Sequence, residues 1–68
     1  MSGFTKEIIA KTFTELLDEK PMSKITVKDI VEDCGVNRNT FYYHFTDIPT
    51  LLQEIIIEEA GRIMEEYP

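Results

Sequence analysis

Two short segments that meet at Gly35 constrain the fold of this 68-residue chain more than any other feature. Before the glycine, four apolar residues recur at i, i+3, i+4 and i+7, the spacing of one helical face: Val27, Ile30, Val31 and Cys34. A glycine directly after such a stripe is typical of a helix C-terminus, because glycine adopts positive φ without a steric penalty. The pattern predicts a helix of about eight residues that ends at this point.

Capping residues indicate where the helices on either side of Gly35 begin. Thr26 and Asp29 have the spacing of a capping box, in which each side chain accepts from the other residue's backbone N–H. Asn37 is a suitable N-cap for the next helix, which we expect to run to about Phe45. Two helices joined by a short turn that contains glycine form a helix-turn-helix, here over about 26–45.

Two longer apolar patterns flank this motif. We expect the first helix to run from about Phe4 to Glu19, with Ser2 or Thr5 as its N-cap, and to end before Pro21. Asp47 can cap the last helix, which tolerates Pro49 in its first turn and is still apolar at Tyr67. The expected apolar faces of these two helices consist of Ile8, Ile9, Phe13, Leu16 and Leu17 in the first, and Leu52, Ile55, Ile56, Ala60, Ile63 and Met64 in the last. The patterns predict an all-α fold, a three-helix helix-turn-helix bundle plus the start of a fourth helix.

Composition narrows the possible functions. No apolar run is long enough for a membrane span or resembles a signal peptide, and a single cysteine excludes an internal disulfide, so we expect a cytoplasmic protein without membrane contact. The net charge of −6 argues against nucleic-acid binding, but it is unevenly distributed. Residues 1–45 hold six basic and seven acidic groups, whereas residues 46–68 hold one basic and six acidic groups.

The aromatic run within NRNTFYYHF, residues 37–45, divides on a helical wheel of about 100° per residue. Phe41 and Phe45 share one face and are expected in the core. Asn39, Tyr42 and Tyr43 point away from them, and Arg38, Thr40 and His44 lie at the end or the flank. Such an outward set suits a reader of the DNA major groove, although a solvated face with an incidental tyrosine pair has the same pattern.

Enzymatic and metal sites find little support in these residues. His44 and Cys34 alone do not form a tetrahedral zinc site, and Cys34 belongs to the apolar stripe of its helix. The sequence contains no phosphate-binding glycine loop. We therefore expect no catalytic residues, no metal and no cofactor, and the main alternative to DNA binding is a protein-interaction domain.

The stretch ITVKDIVEDCGVNRNTFYYHF, residues 25–45, resembles the helix-turn-helix of the TetR (tetracycline repressor) family of bacterial transcriptional regulators. The most specific part of the likeness is Gly-Val followed after three residues by Thr-Phe-Tyr-Tyr-His-Phe. The first helix and the leucine pair at 51–52 extend it over nearly all of the chain. A weaker likeness, through NRNTFYYHFTDIPTLL, is to regulators of the dihydroxyacetone-kinase activator type.

The resemblance implies roles for particular residues. Nine positions would meet DNA: Thr26, Lys28, Asn37, Arg38, Asn39, Thr40, Tyr42, Tyr43 and His44. Among them, Thr26 and Lys28 match positions that contact the DNA backbone or a base. Arg38, Asn39 and Thr40 match base-reading positions, and the last three match residues that meet phosphates or bases.

The resemblance also implies partners beyond this chain. It predicts that residues 1–68 are the DNA-binding head of a regulator, usually a repressor, that binds a pseudo-palindromic double-stranded operator as a homodimer. A C-terminal domain that dimerises and binds a small-molecule effector would lie outside these residues. One departure from the family pattern is Ile48, which stands where many members have a phosphate-binding lysine.

Overall fold

Four α-helices make up most of the chain in the computed structural model, which describes the backbone of residues 2–66 and the side chains of residues 4–66. They are α1 (Ser2–Leu17), α2 (Val27–Cys34), α3 (Arg38–His44) and α4 (Ile48–Glu66), with a 3₁₀ turn at Met22–Lys24 between the first two. No β-strand occurs among residues 2–66. The all-α prediction is confirmed, and the expected fourth helix is the longest of the four. The side chain of Ser2 and all of Tyr67 lie outside the described residues, and Thr5 lies inside α1 rather than at its cap.

Helix α2 begins and ends at the predicted residues. The Asp29 N–H donates to Thr26 Oγ1 at 3.1 Å, and the Thr26 N–H donates to Asp29 Oδ2 at 3.0 Å, which completes the capping box. At the other end, Gly35 has φ of 76° and its N–H donates to the Val31 carbonyl at 2.9 Å. A Cβ at Gly35 would contact nothing within 4 Å, so this backbone angle alone favours glycine there.

The core lies where α1, α2 and α3 meet the first turn of α4. Its buried apolar residues are Ile9, Phe13, Leu16, Ile25, Ile30, Val31, Phe41, Phe45 and Leu51. Seven of these nine were expected in the core. Ile25 precedes the cap of α2 and so escaped the helical pattern, and Leu51 is adjacent to the predicted stripe of α4. Thr12, which is buried with them, was not expected either.

The apolar faces predicted for the two longer helices are wider than their buried parts. Ile8 and Leu17 are exposed on α1, whose last turn gives way to turn-type hydrogen bonds at residues 18–20 instead of continuing to Glu19. On α4, Leu52 and Ile55 are half-buried against the core, but every residue from Ile56 to Glu66 is exposed. The part of the predicted stripe at Ile56, Ala60, Ile63 and Met64 is therefore exposed, because the second half of α4 extends beyond the helices that cover its first half.

Within residues 4–66, two ion pairs connect residues of neighbouring elements. Lys6 on α1 reaches Glu54 on α4 at 2.8 Å, and its ammonium lies 5.6 Å from the centre of the Phe45 ring. Lys20 pairs with Asp29 at 3.0 Å. The Thr26 N–H and the Lys20 ammonium both lower the pKa of Asp29, so its carboxylate is ionised in the capping box.

Between residues 2 and 66 no helix has the length and apolar character that a membrane crossing requires.

Candidate nucleic-acid interface

Helix α3 presents two chemically different sides. Phe41 and Phe45 are 0% and 2% exposed and their ring centroids lie 5.8 Å apart, which confirms them as core. Tyr42 and Tyr43 are 50% and 82% exposed, so both tyrosines present their hydroxyl groups to the surroundings. A tyrosine that is four-fifths exposed contributes little to folding, and its ring and hydroxyl remain available for a partner.

Four hydrogen bonds to Asn37 hold the N-terminus of α3, and one of them runs from the Thr40 N–H to the Asn37 carbonyl at 3.1 Å. Asn37 Oδ1 accepts the Thr40 N–H at 2.8 Å and the Thr40 hydroxyl at 3.0 Å. The Phe41 N–H donates to the Asn37 carbonyl at 3.3 Å. The predicted cap is therefore present, and it uses both the side-chain oxygen of Asn37 and the single hydroxyl proton of Thr40.

A shallow open depression lies along one side of α3. It is lined by Thr5, Asn37, Asn39, Thr40, Tyr43 and His44. Five of these six are among the nine residues singled out in the sequence. Thr5 was missed as a member of this surface, because it comes from α1 and the helical pattern of α1 carries no information about which side chains approach α3.

The other four candidate residues lie outside this depression. Thr26 is exposed at the start of α2, where its hydroxyl oxygen accepts from the Asp29 N–H, and Tyr42 is exposed on α3 but does not line the depression. Lys28 and Arg38 are exposed, and neither forms an ion pair with any residue between 4 and 66. The helix-turn-helix therefore carries two cations that are unpaired within the described part of the chain.

Much of the acidity predicted for the C-terminal third is concentrated on one side of α4. At about 100° per residue, its six charged side chains fall within an arc of about 140° that also contains Leu51 and Ile55. Of these acids, Glu54 pairs with Lys6, and Glu59 pairs with Arg62 at 3.2 Å. Because Leu51 and Ile55 face the core, the near end of this arc lies beside α1, where Glu54 meets Lys6.

The start of α4 differs in chemistry from a phosphate-binding lysine. Ile48 is half-buried and packs against the core. Asp47 caps the helix by accepting the Thr50 N–H at 2.8 Å. Hydrogen bonds from the Thr50 hydroxyl and N–H lower the pKa of Asp47, so a carboxylate stands at this helix end.

The histidine and the cysteine are not part of a metal-binding cluster in the described part of the chain. His44 is half-buried, with its ring 5.0 Å from Tyr43 and 6.2 Å from Phe45 in centroid distance. Cys34 is half-buried and packs against the core. Among residues 2–66 no group of three or more His, Cys, Asp or Glu side chains is arranged to hold a metal ion.

Comparison with known proteins identifies this arrangement. The family model for bacterial regulatory proteins of the tetR family matches residues 8–55, which include α2, α3 and the turn between them. The chain belongs to the TetR family. The predicted helix-turn-helix and its family are therefore confirmed.

Curated relatives of this TetR-family chain are regulators from several bacteria. The dhaKLM operon transcriptional activator DhaS of Lactococcus lactis is 31% identical over 65 residues, which are 96% of this chain and 35% of the relative. The regulator EthR of Mycobacterium tuberculosis is 33% identical over 60 residues, 81% of this chain and 28% of EthR. The regulator YxbF of Bacillus subtilis is 34% identical over 62 residues, 90% of this chain and 16% of YxbF.

The chain thus spans between about a sixth and a third of the length of these relatives. No solved structure matches it at a significant level.

Proposed function

We propose that this chain is the sequence-specific, double-stranded DNA-binding head of a TetR-family transcriptional regulator, with α3 as the recognition helix in the major groove. The observation that carries the proposal is the division of α3. Phe41 and Phe45 fix the helix to the core, while Asn39 and Tyr43 on its outer side and Arg38 at its N-terminal end are exposed. A short helix held rigidly from behind and polar in front suits base reading.

The nine candidate residues divide by chemistry into base readers and backbone contacts. Arg38 and Asn39 carry the groups that recognise guanine and adenine edges, and Thr40 can meet a thymine methyl group. Lys28, Thr26 and the hydroxyls of Tyr42 and Tyr43 suit phosphate oxygens. Asn37 and His44 border the same surface, and we assign them to contacts near the backbone.

Charge placement supports the proposal in spite of the net charge of −6. Lys28 and Arg38 form no ion pair with any residue from 4 to 66, so their approach to phosphate does not require one of those pairs to break. The acids of α4 share one arc of that helix, of which Glu54 pairs with Lys6 on α1, and charges more than about 10 Å from a phosphate are largely screened at ordinary salt.

A regulator of this kind acts as a dimer on a two-fold symmetric operator. Two half-sites one helical turn apart are separated by about 34 Å, and two heads must be held at that distance. We propose that residues 1–68 form one such head in a cytoplasmic protein. A further C-terminal domain would dimerise and bind the small-molecule effector that releases the operator.

Repression is the regulatory mode that we propose, and activation is the alternative that the name of DhaS supports. Repression and activation predict opposite changes in transcription when the gene is deleted. Deleting the gene should raise transcription from a promoter that carries the selected operator if the protein represses, and should lower it if the protein activates.

Duplex binding as a function of salt tests DNA recognition itself. Each phosphate neutralised should contribute about −0.9 to the slope of log K against log salt concentration.

Arg38→Ala should cost about 1–3 kcal/mol mainly at one base pair, whereas Tyr42→Phe should weaken binding to all sequences alike. Absent binding or a flat salt response would favour a protein-interaction domain, and equal losses on random DNA would remove Arg38 from the base readers.

A further inference from the structure

Helix α3 carries two asparagines at its N-terminus, and their side chains are not equally available. Asn37 Oδ1 accepts two hydrogen bonds, from the Thr40 N–H and from the Thr40 hydroxyl. A backbone N–H can only donate, so the atom of Asn37 that faces it must be the amide oxygen. With both lone pairs of that oxygen occupied, Asn37 offers only the N–H bonds of its amide group.

The amide group of Asn39, unlike that of Asn37, is available to a partner. It is exposed, lines the open depression beside Tyr43, and its amide forms no side-chain hydrogen bond with the described part of the chain. Its oxygen can accept and its nitrogen can donate at the same time. Asn39 stands two residues after the cap, where the rigid Asn37–Thr40 contacts hold the helix.

The edge of adenine in the major groove requires both capacities in one group. Adenine presents the N7 acceptor next to the N6 donor, and an amide that donates to the first and accepts from the second recognises this pair. Asn37 cannot accept from N6 without losing a cap contact. Arg38 cannot accept at all, because a guanidinium has only donors.

We propose that Asn39 is the adenine reader of α3 and that Asn37 is a helix cap with no base-reading role. This inference rests on the proposed DNA-binding function and adds to it the two-point mode of contact and the exclusion of Asn37 from base reading. In each half-site, the Asn39 amide group would donate to N7 of one adenine and accept from its N6 amino group.

The test begins with selection of bound duplexes from a random pool by the wild-type chain at low salt. Each adenine of the selected site is then replaced in turn by 7-deazaadenine, which lacks the N7 acceptor, or by purine, which lacks the N6 amino group. At one adenine per half-site, either replacement should weaken wild-type binding by about 5- to 150-fold.

Two variants assign that penalty to a residue. Asn39→Ala should bind the unmodified site more weakly and should lose nothing further from either replacement at that adenine. Asn37→Ser keeps a cap oxygen but removes the amide, and it should retain the full penalty. Far-UV circular dichroism of both variants should match the wild type, since neither change removes the cap.

The outcomes separate the inference from the function on which it rests. If no duplex is enriched, the proposed DNA binding fails and the assignment of Asn39 fails with it. If duplexes are enriched but Asn39→Ala keeps the 7-deazaadenine penalty, or Asn37→Ser abolishes it, DNA binding stands and the assignment of Asn39 is overturned.

Discussion

Replacing Phe41 and Tyr43 by the same residue, leucine, tests whether α3 has a structural side and a binding side. Two residues apart on a helix, the two side chains point about 200° from each other. Phe41 is fully buried, with its ring 5.3 Å from Tyr42 and 5.8 Å from Phe45 in centroid distance. Tyr43 is 82% exposed.

The expected magnitudes follow from burial. Truncating a buried phenylalanine to alanine costs about 3–5 kcal/mol, and leucine, which fills more of the space, should cost about 1–2 kcal/mol. A domain of 68 residues has a total stability of about 3–10 kcal/mol, so Phe41→Ala would remove about a third of the total or more, whereas Phe41→Leu leaves a folded protein to measure. Tyr43→Leu should change the free energy of unfolding by no more than about 0.5 kcal/mol.

Urea unfolding followed by far-UV circular dichroism measures both changes. With an m-value of about 1 kcal/mol/M, Phe41→Leu should lower the midpoint by about 1–2 M, and Tyr43→Leu should leave it within about 0.5 M. In DNA binding the order should reverse, since only Tyr43→Leu removes a hydroxyl from the outer side of α3. Equal midpoint shifts for the two variants would refute the division of α3 on which the proposed function depends.

Two further predictions concern helix ends. Because hydrogen bonds from Thr26 and Lys20 hold the pKa of Asp29 below its ordinary value of 3.8, the ionised cap stabilises the fold above that pH. This contribution should be lost as pH falls below about 4, so thermal unfolding should depend less on acid in Asp29→Asn than in the wild type. A similar acid dependence in both would contradict it. Ile48→Lys should steepen the salt dependence of DNA binding by about 0.9, because a lysine stem can pack while its ammonium reaches phosphate. The uncharged Ile48→Gln is its control, and an unchanged slope in the lysine variant would exclude a phosphate there.

The helix-turn-helix could be predicted from sequence because its determinants are local. The Thr26–Asp29 box, the left-handed Gly35 and the Asn37 cap each involve residues within four positions of one another, and chain neighbours complete them. The wheel of α3 placed Phe41 in the core for the same reason, since a helix of seven residues has nearly fixed side-chain directions. The family resemblance added roles for those residues that the pattern alone left open.

The candidate surface was only partly readable in this way. The side chains of α3 that line the depression were predicted, but Thr5 joins them through the packing of α1, a contact between residues more than thirty positions apart. The difference between Asn37 and Asn39 likewise depends on which hydrogen bonds form. Both are asparagines on the same short run, and although the pattern predicted Asn37 as a cap, only the structure shows that the Thr40 hydroxyl also donates to its amide oxygen.

The amino-acid sequence alone predicted the four helices, the caps of α2, α3 and α4 and the outward side of α3, because these depend on contacts within about one helical turn. Tertiary structure decided how much of each apolar stripe is buried. Periodicity indicates which face of a helix is apolar, but burial also requires a neighbouring element along the same length. Leu51 and Ile55 have such neighbours, whereas Ile63 and Met64 lie beyond them on the same helix and are exposed.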